Sequence, residues 1–242
     1  MPYIKIDGLP YFRGIYLPTY ISHNQGMEGT MALATVYFLC YTGRKQALTL
    51  KKAEKEAGPI TGLPTTLPGK IVSPALTTAL LSPSVMYLAG VLTNSFYVPS
   101  WLENASFPMS LDLAVGVGGK SALRTIAALA HVALAHIGIG SSMRALGAHF
   151  HYIGAREKGR VVSTGPYAYV RHPLYSTFLA QLACQAFMFW SWLPVAGLGV
   201  AVGSLAYKIP LEESLMEDNL ATGWEYVEYK QRVPYRLIPY VW

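Results

Sequence analysis

The chain has 242 residues, of which 52% are hydrophobic and 13% are charged. A typical soluble domain carries about 25% charged residues, so this deficit and the mean hydropathy of +0.29 predict a surface that largely faces lipid. The length fits a single domain. The net charge of +6 suits either a nucleic acid or a membrane surface. The positions of the basic residues, in loops beside the apolar stretches, favour a membrane surface. We therefore expect no nucleic-acid partner.

Three apolar stretches in the first part of the chain are candidate membrane spans, because a spanning helix needs about 20 mostly apolar residues. They are residues 26–42, 72–99 and 125–143. The first is short and is interrupted by Glu28. The second contains two prolines, which are tolerated in lipid where neighbouring helices satisfy the freed carbonyl groups. The third is rich in Ala and Gly, which favours close helix packing.

A fourth apolar stretch, residues 174–210, is too long for one span. The sequence Ser-Trp-Leu-Pro at 191–194 lies in its middle and predicts a tight turn between two helices. The chain is therefore predicted to be an all-α integral membrane protein with about five transmembrane helices.

The loops differ in charge, and this difference predicts the orientation of the chain. Basic residues are concentrated in the loop 43–70, whereas the loop 100–121 has two acidic residues and one lysine and holds a glycosylation sequon at Asn104. Positive charge favours the cytoplasmic side, and a sequon is used only on the lumenal side. Residues 144–173 and 211–242 then share the cytoplasmic face, and the N-terminus is lumenal. Residues 45–57 are either a basic helix on the membrane surface or a solvated helix.

Two further motifs suggest phosphate binding and metal binding, but neither has the residues that these functions require. The stretch 116–121, Gly-Val-Gly-Gly-Lys-Ser, has Ala114 where a phosphate-binding loop needs glycine, and no strand precedes it. We predict a flexible interhelical loop there. His149 and His151 have no nearby Cys or acidic residue that would complete a metal site, so no metal is expected.

Two polar, aromatic clusters remain beside the last two spans. Taken singly, such residues are typical of interfacial anchoring at headgroup level, and adjacent acids are typical of a solvated helix. The residues of the clusters are Gly165-Pro166-Tyr167, Arg171-His172-Pro173, Tyr175, the pair Glu212-Glu213, Gly223, Arg232-Val233-Pro234 and Leu237-Ile238-Pro239.

Together, these residues resemble the isoprenylcysteine carboxyl methyltransferases and the related membrane phospholipid methyltransferases. The resemblance covers roughly residues 140–242. It implies a multi-pass protein of the endoplasmic reticulum membrane. Residues 1–140 would form N-terminal transmembrane helices, and residues 141–242 a catalytic region with a cytoplasm-facing pocket for S-adenosylmethionine.

The resemblance also implies roles for individual residues. Arg171 and Glu213 would be catalytic. The cofactor-binding residues would be Gly165, Pro166, Tyr167, His172, Pro173, Tyr175 and Glu212.

The sequence departs from the family pattern at two positions. Gly159 stands where family members often carry histidine, and Thr222 stands where they carry an aromatic residue. The departure at Gly159 removes one cofactor contact that the family pattern implies, or His149 or His151 supplies that contact instead.

The acceptor is expected to be lipid-like, because a site at the interface lets an apolar tail stay in the bilayer. The principal prediction is carboxyl O-methylation of a C-terminal isoprenylcysteine, in which Arg171 would hold the carboxylate bidentately. One alternative is a phospholipid amine or a prenylated small metabolite, and for an amine Glu213 would act as the base. Another is a non-enzymatic helical membrane protein, such as a transporter subunit or a scaffold.

Overall fold

The computed structural model describes residues 3–5, 20–220 and 222–242, and helices dominate this part of the chain. The helices are α1 (His23–Ala57), α2 (Leu67–Thr93), α3 (Ser100–Glu103), α4 (Met109–Ala133), α5 (Gly140–Leu146), α6 (Pro173–Phe189), α7 (Leu193–Glu217) and α8 (Gly223–Arg232). The predicted all-α class is confirmed.

Strands are few and short within the described residues. Two antiparallel pairs occur: β1 (Tyr3–Lys5) with β2 (Tyr20–Ser22), and β3 (Ile60–Thr61) with β4 (Ala155–Arg156). The second pair ties the loop after α1 to the segment that precedes α6. Most of the predicted lumenal N-terminus lies outside the described residues.

Among the described residues, three helices are long and apolar enough to cross a membrane: α2, the continuous helical run Met109–His149, and α7. The other two predicted spans also form helices, but they differ from this pattern. α1 is 35 residues long and ends in a charged segment. α6 has only 17 residues. Residues 45–57, predicted as a separate surface helix or solvated helix, continue α1 without a break.

The tight turn predicted between the last two long helices is confirmed. α6 ends at Phe189, where Trp190 adopts a left-handed conformation (φ 53°). α7 begins at Leu193 with Pro194 in its first turn, a position that suits proline because no helical N–H is lost there. The turn also packs on the loop before α4, since Trp192 N donates to the Ala105 carbonyl at 2.8 Å.

The prediction of a flexible loop over residues 116–121 is wrong, because this stretch is helical and belongs to α4. Only Gly116 leaves the helical conformation, with φ 68° and ψ 168°. Glycine adopts such positive φ values without steric cost, so two helical segments of α4 meet at a kink at Gly116.

The Ala- and Gly-rich third segment packs closely, as its composition predicts. A π-helical turn, Leu134–Ile139, joins α4 to α5. At Gly138, a Cβ atom would lie 2.6 Å from Cγ2 of Thr177, and at Gly140 it would lie 2.5 Å from the Tyr41 hydroxyl. α1 and α6 therefore approach this helical run at positions where no side chain fits.

Glu28, the charged residue within the first predicted span, is buried and paired. Its two carboxylate oxygens accept from Nη1 and Nη2 of Arg124 at 2.7 and 2.8 Å, and it also accepts from the Tyr87 hydroxyl. Arg124 Nε donates to the Met188 carbonyl at 2.7 Å. This ion pair joins α1, α2, α4 and α6 near the α6–α7 turn, which we call the hairpin end of the bundle.

The C-terminal segment folds back onto the start of α6, at the opposite end of the bundle. The N–H groups of Arg171 and His172 donate to the carbonyls of Tyr235 and Arg236, both at 2.9 Å. Ser176 Oγ donates to the Leu237 carbonyl at 2.6 Å. The last residues of the chain therefore cover the first turn of α6, which holds Pro173 and Tyr175 and directly follows Arg171 and His172.

Candidate active site

A cavity of about 760 Å³ opens at this end of the bundle. Five of the predicted site residues line it: Tyr167, Arg171, His172, Tyr175 and Glu212. Ligand pockets usually measure about 300–1,000 Å³, so the volume suits a nucleoside-sized ligand together with part of a second molecule.

Four of the predicted site residues lie outside the cavity wall. Gly165 and Pro166 form the turn that carries Tyr167; Gly165 has φ +61°, a left-handed value that favours glycine. Pro173 starts α6 directly after His172. Glu213 faces away from the cavity.

Glu212 presents its carboxylate to the cavity and interacts with three elements. Its Oε2 accepts from the Tyr175 hydroxyl at 2.7 Å and lies 3.8 Å from Lys208 Nζ. Its Oε1 lies 3.6 Å from His151 Nε2. The carboxylate is therefore oriented by α6, α7 and the segment that follows α5.

Lys208 lies one turn before Glu212 and is almost fully buried. Its ammonium donates to Ser73 Oγ at 3.0 Å and to the Tyr152 carbonyl. A buried cation needs such partners, since an unpaired charge is strongly unfavourable away from water. The lysine links α2 to the wall of the cavity and offsets the charge of Glu212.

Glu213 lies behind the wall and is surrounded by cations. Its Oε1 accepts from Arg171 Nε at 2.8 Å and lies 3.2 Å from His172 Nε2. Its Oε2 accepts from Arg236 Nη2 at 3.0 Å and lies 3.9 Å from Lys230 Nζ. These contacts suit a residue that holds the C-terminal segment in place, and no face of Glu213 reaches the cavity.

Arg171 lines the cavity, but most of its donors are already used. Besides the contact with Glu213, its Nη1 donates to the carbonyls of Val233 and Pro234 at 2.8 and 2.7 Å. Only Nη2 has no hydrogen-bond partner among the described residues. A bidentate contact between Arg171 and an acceptor carboxylate would break existing hydrogen bonds, whereas a single hydrogen bond from Nη2 would not.

Tyrosines form the aromatic part of the wall and remain neutral. Burial, followed by the nearby Glu212 carboxylate, raises the pKa of Tyr167 well above its ordinary value. Burial also raises the pKa of Tyr226 and Tyr229. The Tyr229 hydroxyl donates to the Tyr167 carbonyl at 2.7 Å, which joins α8 to the turn before α6.

Residues from the first half of the chain complete the cavity, and no local motif identified them. α1 and α2 contribute mainly apolar and hydroxyl side chains, including Phe38, Leu39, Thr42, Thr77, Leu80 and Leu81. Such residues are typical of any spanning helix, so only the packing of the bundle reveals their role. The division into regions 1–140 and 141–242 stays a prediction, and both regions line this cavity.

The two histidines considered as substitutes for the missing family histidine both line the cavity, whereas Gly159 does not. His151 contacts Glu212, as described above. His149 Nδ1 is buried without a partner among the described residues, and so is Thr42 Oγ1 in the same wall. These two polar atoms are available to a ligand. No group of three or more possible metal ligands occurs in the described part of the chain.

The cavity wall fits the chemistry of S-adenosylmethionine. A sulfonium cation is attracted to aromatic faces, which Tyr167, Tyr175 and Tyr226 supply. The ammonium and ribose hydroxyl groups need acceptors, which the carboxylate of Glu212 and the free nitrogen of His149 supply. These residues would hold the cofactor.

Comparison with known proteins gives one family match. Residues 123–222 match the model of a family described as phospholipid methyltransferase. The match begins within α4 and ends just before α8, so it covers less than half of the chain. No curated protein is significantly similar to the chain. The match and the three apolar helices support a membrane methyltransferase.

Proposed function

We propose that the protein transfers a methyl group from S-adenosylmethionine to the carboxylate of a C-terminal isoprenylcysteine. One observation carries this proposal: a single cavity joins a polar, aromatic wall to an apolar one. The polar wall comes from the segment 149–172, from Tyr175 and from α7 and α8, and the mainly apolar wall comes from α1, α2 and the other lining residues of α6. Such a site suits a polar donor beside an apolar acceptor.

The apolar part of the cavity suits an acceptor with a long hydrocarbon tail. Leu81 lines this part and is 39% exposed on the outer face of α2, a helix long and apolar enough to cross the membrane. Leu39 on α1 lies in the same wall. A tail between these two helices would remain in lipid while its polar end reached the polar wall.

The charge distribution supports a site that faces the cytoplasm, whereas the endoplasmic reticulum membrane is proposed from the family resemblance alone. The end of α1 beyond the cavity carries Lys51, Lys52 and Lys55, whereas Glu103 and Asp112 lie near the hairpin end. Because positive charge favours the cytoplasmic side, the cavity would open where S-adenosylmethionine is available.

A carboxylate acceptor fits the basic groups around the cavity. In the reaction a bond forms between the carboxylate oxygen and the methyl carbon as the carbon–sulfur bond breaks, and an ionised acceptor has no proton to lose. The bound donor supplies an activated methyl group. Arg171 Nη2 and the exposed Arg160, both in the cavity wall, would orient the anionic end. Alignment and exclusion of water then account for the rate.

A phospholipid amine is the second candidate, because the matching family is described as phospholipid methyltransferase. An amine must lose a proton, so a base is required. Glu212 lines the cavity and is better situated for this role than Glu213, which does not.

The test is methyl transfer by the purified protein with three acceptors: a prenylcysteine, phosphatidylethanolamine and a prenylated phenol. We expect product with the prenylcysteine alone. Product with only one of the other two acceptors would contradict the carboxylate assignment while preserving methyl transfer.

Binding of the donor, measured by calorimetry, separates an enzyme from a non-enzymatic membrane protein. We expect Glu212→Gln to weaken binding. The control Glu228→Gln changes an exposed carboxylate on α8 and should bind normally. Absence of donor binding by the unmodified protein would exclude the whole proposal.

A further inference from the structure

Four polar side chains lie inside the helix bundle, away from the cavity. Ser84, His131 and Gln185 have no exposed surface, and Gln181 is 1% exposed. None lines the cavity. They belong to α2, α4 and α6, and two of these helices are parts of candidate membrane spans.

Most polar atoms of these four side chains have no partner among the described residues. The atoms are Ser84 Oγ, His131 Nδ1 and Nε2, Gln181 Oε1, and Gln185 Nε2 and Oε1. The exception is Gln181 Nε2, which donates to the His131 carbonyl at 3.0 Å. We call these four residues the buried polar cluster.

The contacts of neighbouring residues place the members of the buried polar cluster along the bundle. At the hairpin end, Tyr87 of α2 stacks on Phe189 of α6 with ring centroids 3.9 Å apart. Ser84 and Gln185 each lie one turn before these aromatic residues. α2 and α6 both run from the cavity towards the hairpin end, so the two side chains lie at the same level.

Gln181 extends the cluster by one further turn of α6 and reaches His131 of α4. On the cavity side, the ring of Phe38 lies 4.7 Å from that of His131, and Phe38 also lines the cavity. On the other side, Arg124 and Glu28 form their ion pair. The cluster therefore occupies the space between the cavity floor and this ion pair.

Buried polar atoms in folded proteins nearly always have a partner, either in the protein or in ordered water. The free atoms here include both donors and acceptors, because an amide group supplies one of each and a neutral imidazole does too. An apolar lipid chain satisfies neither. Water satisfies both, and one buried water makes about three hydrogen bonds.

We infer that the buried polar cluster binds a group of internal water molecules that bridges α2, α4 and α6. The bound waters supply the partners that the protein does not, and they hold α6 in a fixed position between the cavity and the ion pair. These waters would be bound whether or not a methyl donor or an acceptor occupies the cavity.

Radiolytic labelling of the full chain in lipid nanodiscs tests the inference. A short X-ray pulse produces hydroxyl radicals from bound water, and these oxidise the side chains that they contact. We expect His131 to be oxidised although it is fully buried. Leu182 of α6 is the internal control, because it is buried like His131 but packs with Leu76 and Leu205 in an apolar cluster.

The expected labelling of His131 is roughly tenfold above that of Leu182 after correction for intrinsic reactivity, since only His131 would contact water. The double variant Ser84→Ala, Gln185→Leu should reduce His131 labelling to the level of Leu182, because the waters lose most of their partners. His131 labelling as low as that of Leu182 in the unmodified protein would mean a dry cluster and would overturn the inference. So would labelling that the double variant leaves unchanged while its thermal unfolding stays cooperative.

Discussion

Arg171 Nε lies 2.8 Å from Oε1 of Glu213, so a residue that precedes α6 is paired with a residue of α7 that follows 42 positions later. Both side chains are buried. The second oxygen of Glu213 accepts from Arg236, and Arg171 itself donates to the carbonyls of Val233 and Pro234. The pair therefore holds the C-terminal segment over the cavity. A substitution at Arg171 should consequently affect both the stability of this segment and the site itself.

Arg171→Lys should reduce both turnover and thermal stability. Lysine keeps the charge but loses the planar fork, and so it cannot reach Glu213 and the two carbonyls together. Loss of one charge-assisted hydrogen bond costs about 1.5–3 kcal/mol, which corresponds to roughly a 10- to 150-fold loss of rate if the bond forms in the transition state. Steady-state kinetics and thermal unfolding measure the two effects.

Arg236→Lys is the matched control for this prediction. Arg236 contacts the same carboxylate but does not line the cavity. We expect it to lose stability with much less loss of turnover. Equal losses of turnover in the two variants, at equal loss of stability, would mean that Arg171 positions the segment and does not touch the acceptor.

Tyr175→Phe should weaken binding of the donor. The ring stays, but Glu212 loses the hydroxyl that donates to it at 2.7 Å, and only the longer contacts with Lys208 and His151 then orient the carboxylate. A hydrogen bond to a charged group is worth about 1.5–3 kcal/mol, so we expect the dissociation constant to rise at least about tenfold. Calorimetry measures it. Tyr207→Phe, which changes a 45% exposed tyrosine of α7, should leave it unchanged. An unaltered affinity in Tyr175→Phe would mean that the hydrogen bond from Tyr175 to Glu212 does not contribute to donor binding.

Arg124→Met should destabilise the bundle strongly, because it leaves the Glu28 carboxylate buried without its cation. Removing one partner of a buried pair costs about 3–5 kcal/mol, which lowers the melting temperature by roughly 6–20 °C in a chain of this size. The double variant Glu28→Gln, Arg124→Met should lose less than Arg124→Met alone. Tryptophan fluorescence follows the unfolding. Lys52→Ala, which breaks an exposed pair, should change little. A double variant less stable than the single one would contradict a simple ion pair.

Tyr226→Phe should make stability less sensitive to alkaline pH. Burial, with the Glu213 and Glu212 carboxylates, raises the pKa of Tyr226 above its ordinary value of 10.0. Above about pH 10 the unfolded chain therefore loses a proton that the folded chain keeps, and stability falls by about 1.4 kcal/mol per pH unit for each such tyrosine. The phenylalanine variant should flatten this slope by that amount.

Chemical denaturation at several pH values between about 9 and 11.5 measures the slope. Tyr240→Phe, which changes an 88% exposed side chain, serves as the control and should keep the slope of the unmodified protein. If Tyr226→Phe gave the same slope as this control, the phenol of Tyr226 would ionise as easily in the folded state as in the unfolded one.

Glycosylation tests the orientation of the chain. Asn104 is exposed, and it lies in the loop that packs on the α6–α7 turn, at the end of the bundle opposite the cavity. In microsomes we expect Asn104 to be modified and Asn104→Gln to abolish the modification. A glycosylation reporter fused to the C-terminus should stay unmodified. A modified reporter would reverse the orientation and place the cavity on the lumenal side.

Much of this architecture could be predicted from the sequence, because spanning helices and turns depend on local composition. Long apolar runs fold as helices in lipid, where every backbone polar group needs an internal partner. The Ser-Trp-Leu-Pro stretch predicted the α6–α7 turn because it lies in the middle of an apolar run that is too long for one span. Tyr167, Arg171, His172 and Tyr175 lie within nine residues, so their proximity at the start of α6 followed from the motif.

Contacts between distant segments were decided only by the tertiary structure. Glu212 and Glu213 are adjacent, yet residues one apart point about 100° apart around a helix, and the rotation of α7 alone determined that Glu212 faces the cavity. The contribution of α1 and α2, and the pairing of Glu28 with Arg124, depend on packing between helices that are far apart in the chain. Hydrophobic patterns are short-ranged and carry no information on which buried faces meet.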